Sequence, residues 1–87
     1  MLSCKHYDIL ELCCIYKLAI KVQLGNGQLI QGIAINLVNN TNNEECIRLQ
    51  LSAGLNRVTQ DIELARIHSI EALVKNPYFD RVIFSDS

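Results

Sequence analysis

Two carboxylates and a tyrosine share one short segment of this chain. In "HYDILELCCIYK", His6 to Lys17, Asp8 and Glu11 stand three apart, with Tyr7 beside them. A second acidic pair, Glu44 and Glu45, closes the polar run "NNTNNEE". Groups of this kind accept hydrogen bonds, and their negative potential steers and orients a basic partner. Each pair also has a plain structural explanation. Asp8 followed by Glu11 has the spacing of a helix capping box, with Asp in place of Ser or Thr. Both acids would then lie where the helix dipole favours negative charge. Glu44 and Glu45 would be the solvated end of a loop.

Catalysis needs a nucleophile, a base and an orienting group within reach of one another. His68, Ser69 and Glu71 form one local cluster of such types. On a strand, His68 and Ser69 point to opposite faces and do not act together. No glycine-rich phosphate loop is present. The reading is therefore of a protein that is not an enzyme and works through a binding surface.

Four cysteines, Cys4, Cys13, Cys14 and Cys46, offer metal ligands in type but lack the C-x2-4-C pairs of a zinc site. Cys13 and Cys14 are neighbours, and adjacent helix residues point in different directions. Buried free thiols, behaving as small hydrophobes, account for them. No metal and no cofactor is expected.

These residues need a scaffold. At about 100° per residue, the segment His6 to Lys17 is a helix. Ile9, Leu10, Leu12, Cys13 and Tyr16 share a broad face for the core. Asp8, Glu11 and Ile15 lie opposite, with Tyr7 and Cys14 at the border. From Leu18 the period becomes two: Leu18, Ile20, Val22 and Leu24 form the inner face of a strand. "GNG", Gly25 to Gly27, is a tight turn. A long second strand, "QLIQGIAINLV", has Leu29, Ile33, Ile35 and Leu37 on one face. Gly32 in its middle marks a bend or bulge. "CIRLQL" is a third strand with Ile47, Leu49 and Leu51 inward, and "SAGLN" a turn. "RVTQDIEL" is a fourth strand, and "ARIHSIEAL" a corner leading into a fifth. "KNPYF" turns once more before the short final strand "DRVIFS".

The expected fold is thus mainly β with one N-terminal helix, in a single domain spanning residues 1–87. Five or six short consecutive strands manage their edges as a two-sheet sandwich or as a small, strongly bent barrel. The mid-strand glycine favours bending. At 87 residues, with 49% hydrophobic side chains, the chain builds one core and no second. Eight basic and nine acidic residues give a net charge of −1, without the basic excess of a typical nucleic-acid binder. No stretch has the length of a membrane span. The expectation is a cytoplasmic protein that does not bind nucleic acid directly.

The segment "CKHYDILELCCIYKLAIKVQLGNGQLIQGIAI", followed by "EECIRL", "IELARIHSIEAL" and "NPYF", resembles the Rho-binding antiterminator family of the Rof type. The helix carries its pattern C-x-x-Y-D-x-L-E-x-x-C at Cys4, Tyr7, Asp8, Leu10, Glu11 and Cys14. The match extends from Cys4 to about Phe84. Where members often carry acids just before the tyrosine, this chain has Lys5 and His6. The resemblance implies an Sm-like barrel that binds the N-terminal RNA-binding domain of the termination factor Rho. Such binding keeps RNA from the primary site and inhibits Rho-dependent termination. It further implies contacts through Tyr7, Asp8 and Glu11 on the helix, and through Asn43, Glu44 and Glu45 before the third strand. Ile15 would supply an apolar contact, and the free protein would be a monomer. The alternative, an Sm-like RNA-binding module forming a ring, requires a basic, aromatic pore that the sequence does not show.

Overall fold

The computed structural model of this protein describes residues 4–53 and 56–84. The chain opens with helix α1, Cys4–Ile15. Six strands follow: β1 Ala19–Leu24, β2 Leu29–Asn39, β3 Glu45–Ala53, β4 Asn56–Glu63, β5 Ile67–Ala72 and β6 Arg81–Ile83. A single 3-10 turn, Leu64–Arg66, links β4 to β5. The strands form one antiparallel sheet in the order β4-β3-β2-β1-β5-β6. The chain walks outward from β1 to β4, then crosses back so that β5 pairs on the free side of β1. Mainly β architecture with one leading helix is as the sequence implies. The sheet bends strongly but stays open, with β4 and β6 as its two edges. The turn expected over "SAGLN" centres on residues outside the described ones. Among the described residues, no helix is long and apolar enough to cross a membrane.

Alternation fixes β1 as expected: Ile20, Val22 and Leu24 are buried, and Leu18 packs against the same core. In β3, Ile47 and Leu49 are fully buried and Leu51 is partly so. On β2 the expected face is reversed at its start. Ile30 and Ala34 point inward, while Leu29 and Ile33 are exposed. Pairing decides this, because directly opposed residues share a face. Val22 is inward and sits across from Ile30; Ile20 is inward and sits across from Gly32. Both faces of β2 carry apolar residues, so alternation alone chose the wrong one. A bulge between Ala34 and Asn36 then changes the phase. Beyond it, Leu37 faces Ile47 and packs on the core, as expected.

At Gly32 the neighbouring strand comes very close. A Cβ there would lie 2.9 Å from the Gln50 carbonyl oxygen and 3.2 Å from both Leu49 Cβ and Leu51 Cδ2. Glycine allows β3 to approach this closely. Ile62 of β4 and Ile70 of β5 share one core with Leu10, Cys13 and Cys14 of α1. The first turn, by contrast, uses Gly27 for its positive φ of 91°, with Asn26 Oδ1 accepting from the Gln28 N–H at 2.9 Å.

The helix differs from expectation at both ends. It begins at Cys4, so Asp8 lies inside it and there is no Asp8–Glu11 capping box. It ends at Ile15, so Tyr16 lies past the last helical turn. Tyr16 is therefore exposed and stacks on Tyr78, ring centroids 5.2 Å apart, rather than entering the core. Cys14, expected at the border of the outer face, is buried. The helix leaves through a Schellman motif: Leu18 N–H donates to the Cys13 carbonyl at 2.9 Å and Lys17 N–H to Cys14 at 3.3 Å. Lys17 takes the left-handed position, φ 49°, usually held by glycine.

Candidate functional site

The polar loop between β2 and β3 is a built structure. Asn40 organises it: its Oδ1 accepts from the N–H groups of Asn42 and Glu44, each at 2.9 Å. Its own N–H donates to the Glu44 carbonyl at 3.0 Å, and its Nδ2 donates to Glu44 Oε1 at 3.3 Å. Asn43 adopts φ 61° and accepts from Asn39 Nδ2 at 3.2 Å. Asparagine tolerates that left-handed backbone and bonds its own chain, which is why a run of four suits this turn. The outcome is that Glu44 and Glu45 are delivered at a defined place, at the entry to β3.

Tyr7 meets them from α1. Half-buried against the core, it brings its hydroxyl up to the Glu45 carboxylate at the same cavity. The polar interaction with Glu45, partial burial, and the charges of Glu45 and Glu11 hold the Tyr7 hydroxyl above its ordinary ionisation range. Tyr7, Asn43, Glu44 and Glu45 together line a cavity of about 340 Å³, completed by Glu63, Leu64 and Ala65. Glu63 is a residue the sequence reading missed. It ends β4 directly across from Cys46, which places it beside Glu45. Strand pairing was the signal that would have found it.

Two groups on different elements register the negative field here. Tyr7 on α1 is one. Cys46 on β3 is the other: burial pushes its thiol up, and the charges of Asp61, Glu63 and Glu44 push it further. Asp61 itself is neutralised. Arg48 grips it in a fork, Nε–Oδ1 2.8 Å and Nη2–Oδ2 3.1 Å, and holds its carboxyl below the usual range. Glu11, Glu44, Glu45 and Glu63 have no such partner in the described ion pairs.

Asp8, Glu11 and Ile15 are exposed on the outer face of α1, as the helix period implies. Glu11 adjoins the cavity, since its charge acts on Tyr7. Asp8 and Ile15 do not line it; they extend the acidic face along the helix. His6 turns the other way and stacks on Phe84 at 4.8 Å, leaving Lys5 exposed. Cys13, Cys14 and Cys46 are free buried thiols, and the Cys4 side chain lies outside the described residues.

Fold and face together define a class: a small, bent β module whose helix and longest loop converge on a patch of carboxylates around a tyrosine. The negative potential of such a surface suits a basic partner. The sequence model described as modulator of Rho-dependent transcription termination (ROF) matches residues 1–84. The chain therefore belongs to the ROF family, a family of regulators of transcription termination. A similar solved structure is described as YaeO bound to magnesium, from Vibrio cholerae O395. It superposes with a TM-score of 0.80 at 32% identity, over 91% of this chain and 97% of that one. No curated protein matches the chain.

Proposed function

We propose that this protein inhibits Rho-dependent termination by seating its acidic face on the N-terminal RNA-binding domain of Rho, so that RNA cannot reach the primary site. The observation that carries the reading is the convergence of Tyr7, Glu44, Glu45 and Glu63 on one cavity, with Glu11 beside it. A surface that binds single strands presents cations for phosphates and platforms for bases. Carboxylates on a rigid scaffold use the same donors, and a tyrosine offers a ring and a hydroxyl. Asp8 and Ile15 widen the contact along α1, and Asn43 shapes its loop side. The protein acts as a monomer in the cytoplasm and needs no nucleic acid of its own to bind.

Titration of the full chain into the isolated Rho N-terminal domain tests this. Binding at low salt is expected, with single-stranded RNA displaced as the protein is added. Reversal of charge at Asp8 and Glu11, or at Glu44 and Glu45, should weaken binding by about tenfold or more. Absence of binding by a correctly folded sample, or RNA and protein bound together without competition, overturns the proposal.

A further inference from the structure

A second polar site lies away from the acidic face, on the outer side of the sheet. Ile20, Val22 and Leu24 of β1 face the core, so Lys21 and Gln23 face outward. Across the sheet, Lys21 pairs with Glu71 of β5, and Glu71 pairs with Arg81 of β6. Gln23 pairs with Ser69. These residues line a groove of about 220 Å³, with exposed Leu29 as its apolar wall.

Two features call for an occupant. Glu71 is one carboxylate set between two cations. Its ion pair is with Lys21, Nζ–Oε1 3.2 Å, while Arg81 has no described ion pair or hydrogen bond. One positive charge is left over. The second feature is Ser69, only 3% exposed although it is on the outward face. Its hydroxyl opens onto the groove, and no side-chain hydrogen bond of Ser69 is made among the described residues.

We propose that the groove framed by Lys21, Gln23, Ser69 and Arg81 binds a phosphate group. Arg81 supplies a planar fork suited to phosphate oxygens. Lys21 supplies a second charge, and Ser69 and Gln23 supply neutral donors. A tetrahedral anion can address donors from several directions, as these four are arranged. The groove is smaller than the roughly 300–1,000 Å³ typical of organic ligand pockets, so it suits an ionic headgroup rather than a whole cofactor. Glu71 restrains the site by holding Lys21, which makes occupancy dependent on phosphate concentration. The group can come as inorganic phosphate or as the terminal phosphate of a nucleotide.

Nuclear magnetic resonance of the labelled full chain tests this, with sodium phosphate titrated at constant ionic strength. Saturable shifts of the Arg81 side-chain N–H and the Ser69 amide are expected. Arg81→Gln, at an exposed position of a short edge strand, should weaken binding by about tenfold or more. Ser69→Ala should weaken it as well, whereas Glu71→Gln should strengthen it by freeing Lys21. A nucleoside 5′-monophosphate run in parallel distinguishes the sources: equal affinity assigns the phosphate alone, and tighter binding assigns a nucleotide. Shifts that never saturate, that spread equally to Lys5, Lys17 and Lys75, or that persist unchanged in Arg81→Gln mean the groove holds solvent only, and the proposal fails. An equal response to the nucleoside lacking phosphate overturns it too.

Discussion

Tyr7 and Glu45 meet at one cavity, the tyrosine hydroxyl toward the carboxylate, which sets the leading helix against the first residue of β3. That contact joins the two acidic segments into one face. Tyr7→Phe keeps the ring against the core and removes only the donor. The expected stability loss is about 1 kcal/mol, the worth of a partly screened hydrogen bond to a charged group. Affinity for the Rho N-terminal domain should fall more than this stability change explains, because Glu45 loses that contact. Urea unfolding and calorimetric titration of the same sample check both.

Asp8 and Glu11 do not cap α1, since the helix starts a full turn earlier. Removing a true cap costs about 1 kcal/mol. Asp8→Asn and Glu11→Gln should instead leave stability within about 0.5 kcal/mol, as for other exposed positions. Their effect is expected on partner binding alone. A drop in thermal midpoint with unchanged binding would reassign both acids to helix structure.

Much of this molecule was legible in its residues, and the failures have physical causes. Strands with one apolar face, such as β1 and β3, declared their orientation. β2 did not, because Leu29, Ile30, Ile33 and Ala34 make both faces apolar, and only pairing with Val22 and Ile20 selects one. The helix termini were misjudged because Asp8-x-x-Glu11 imitates a start signal inside a helix. The acidic pairs could be named singly, but their meeting could not. Tyr7 and Glu45 come together at one cavity from α1 and β3, and Glu63 joins them through the β3–β4 register. Such relations are long-range, and local periodicity does not encode them.

The strength of the proposed complex should depend on salt. Exposed charges more than about 8 Å apart are screened at physiological ionic strength. Affinity is expected to fall steadily as sodium chloride is raised, with the loss confined mainly to the association rate. Glu63→Gln should flatten that dependence, because the residue lines the same cavity as Glu44 and Glu45. Stopped-flow association with the Rho N-terminal domain, at several salt concentrations, measures both slopes. An identical slope for the variant removes Glu63 from the interface.

Gly32 should resist every substitution. Even the methyl of alanine would press on the Gln50 carbonyl oxygen at 2.9 Å, an atom held by the sheet. Relief requires β2 and β3 to move apart at a position where they pack closely. Gly32→Ala is expected to cost about 1–3 kcal/mol, as overpacking does. Thermal unfolding should show a midpoint lower by about 4–8 °C for each kcal/mol lost. Gly25→Ala is the control, since the nearest atom to its added Cβ is 3.9 Å away.

Alkaline pH should unfold this protein through Cys13. The thiol is fully buried beneath α1, and burial pushes its pKa from 9.0 up to about 12. The native state therefore holds a proton that the unfolded chain releases. With the folded pKa above the unfolded one, the stabilisation is complete below pH 9.0 and drains away between 9.0 and about 12. Three pH units correspond to something on the order of 4 kcal/mol, a large share of the stability of a domain this small. Tyr7, raised chiefly by its interaction with Glu45, and Tyr78, raised chiefly by its bond to Tyr16, add loss of the same sign above pH 10.0. Urea midpoints are thus expected to drop steeply above about pH 9. Cys13→Ala should start lower, because a small cavity replaces the sulfur, yet decline more gently. Parallel declines for the two proteins would show that the thiol does not drive the transition.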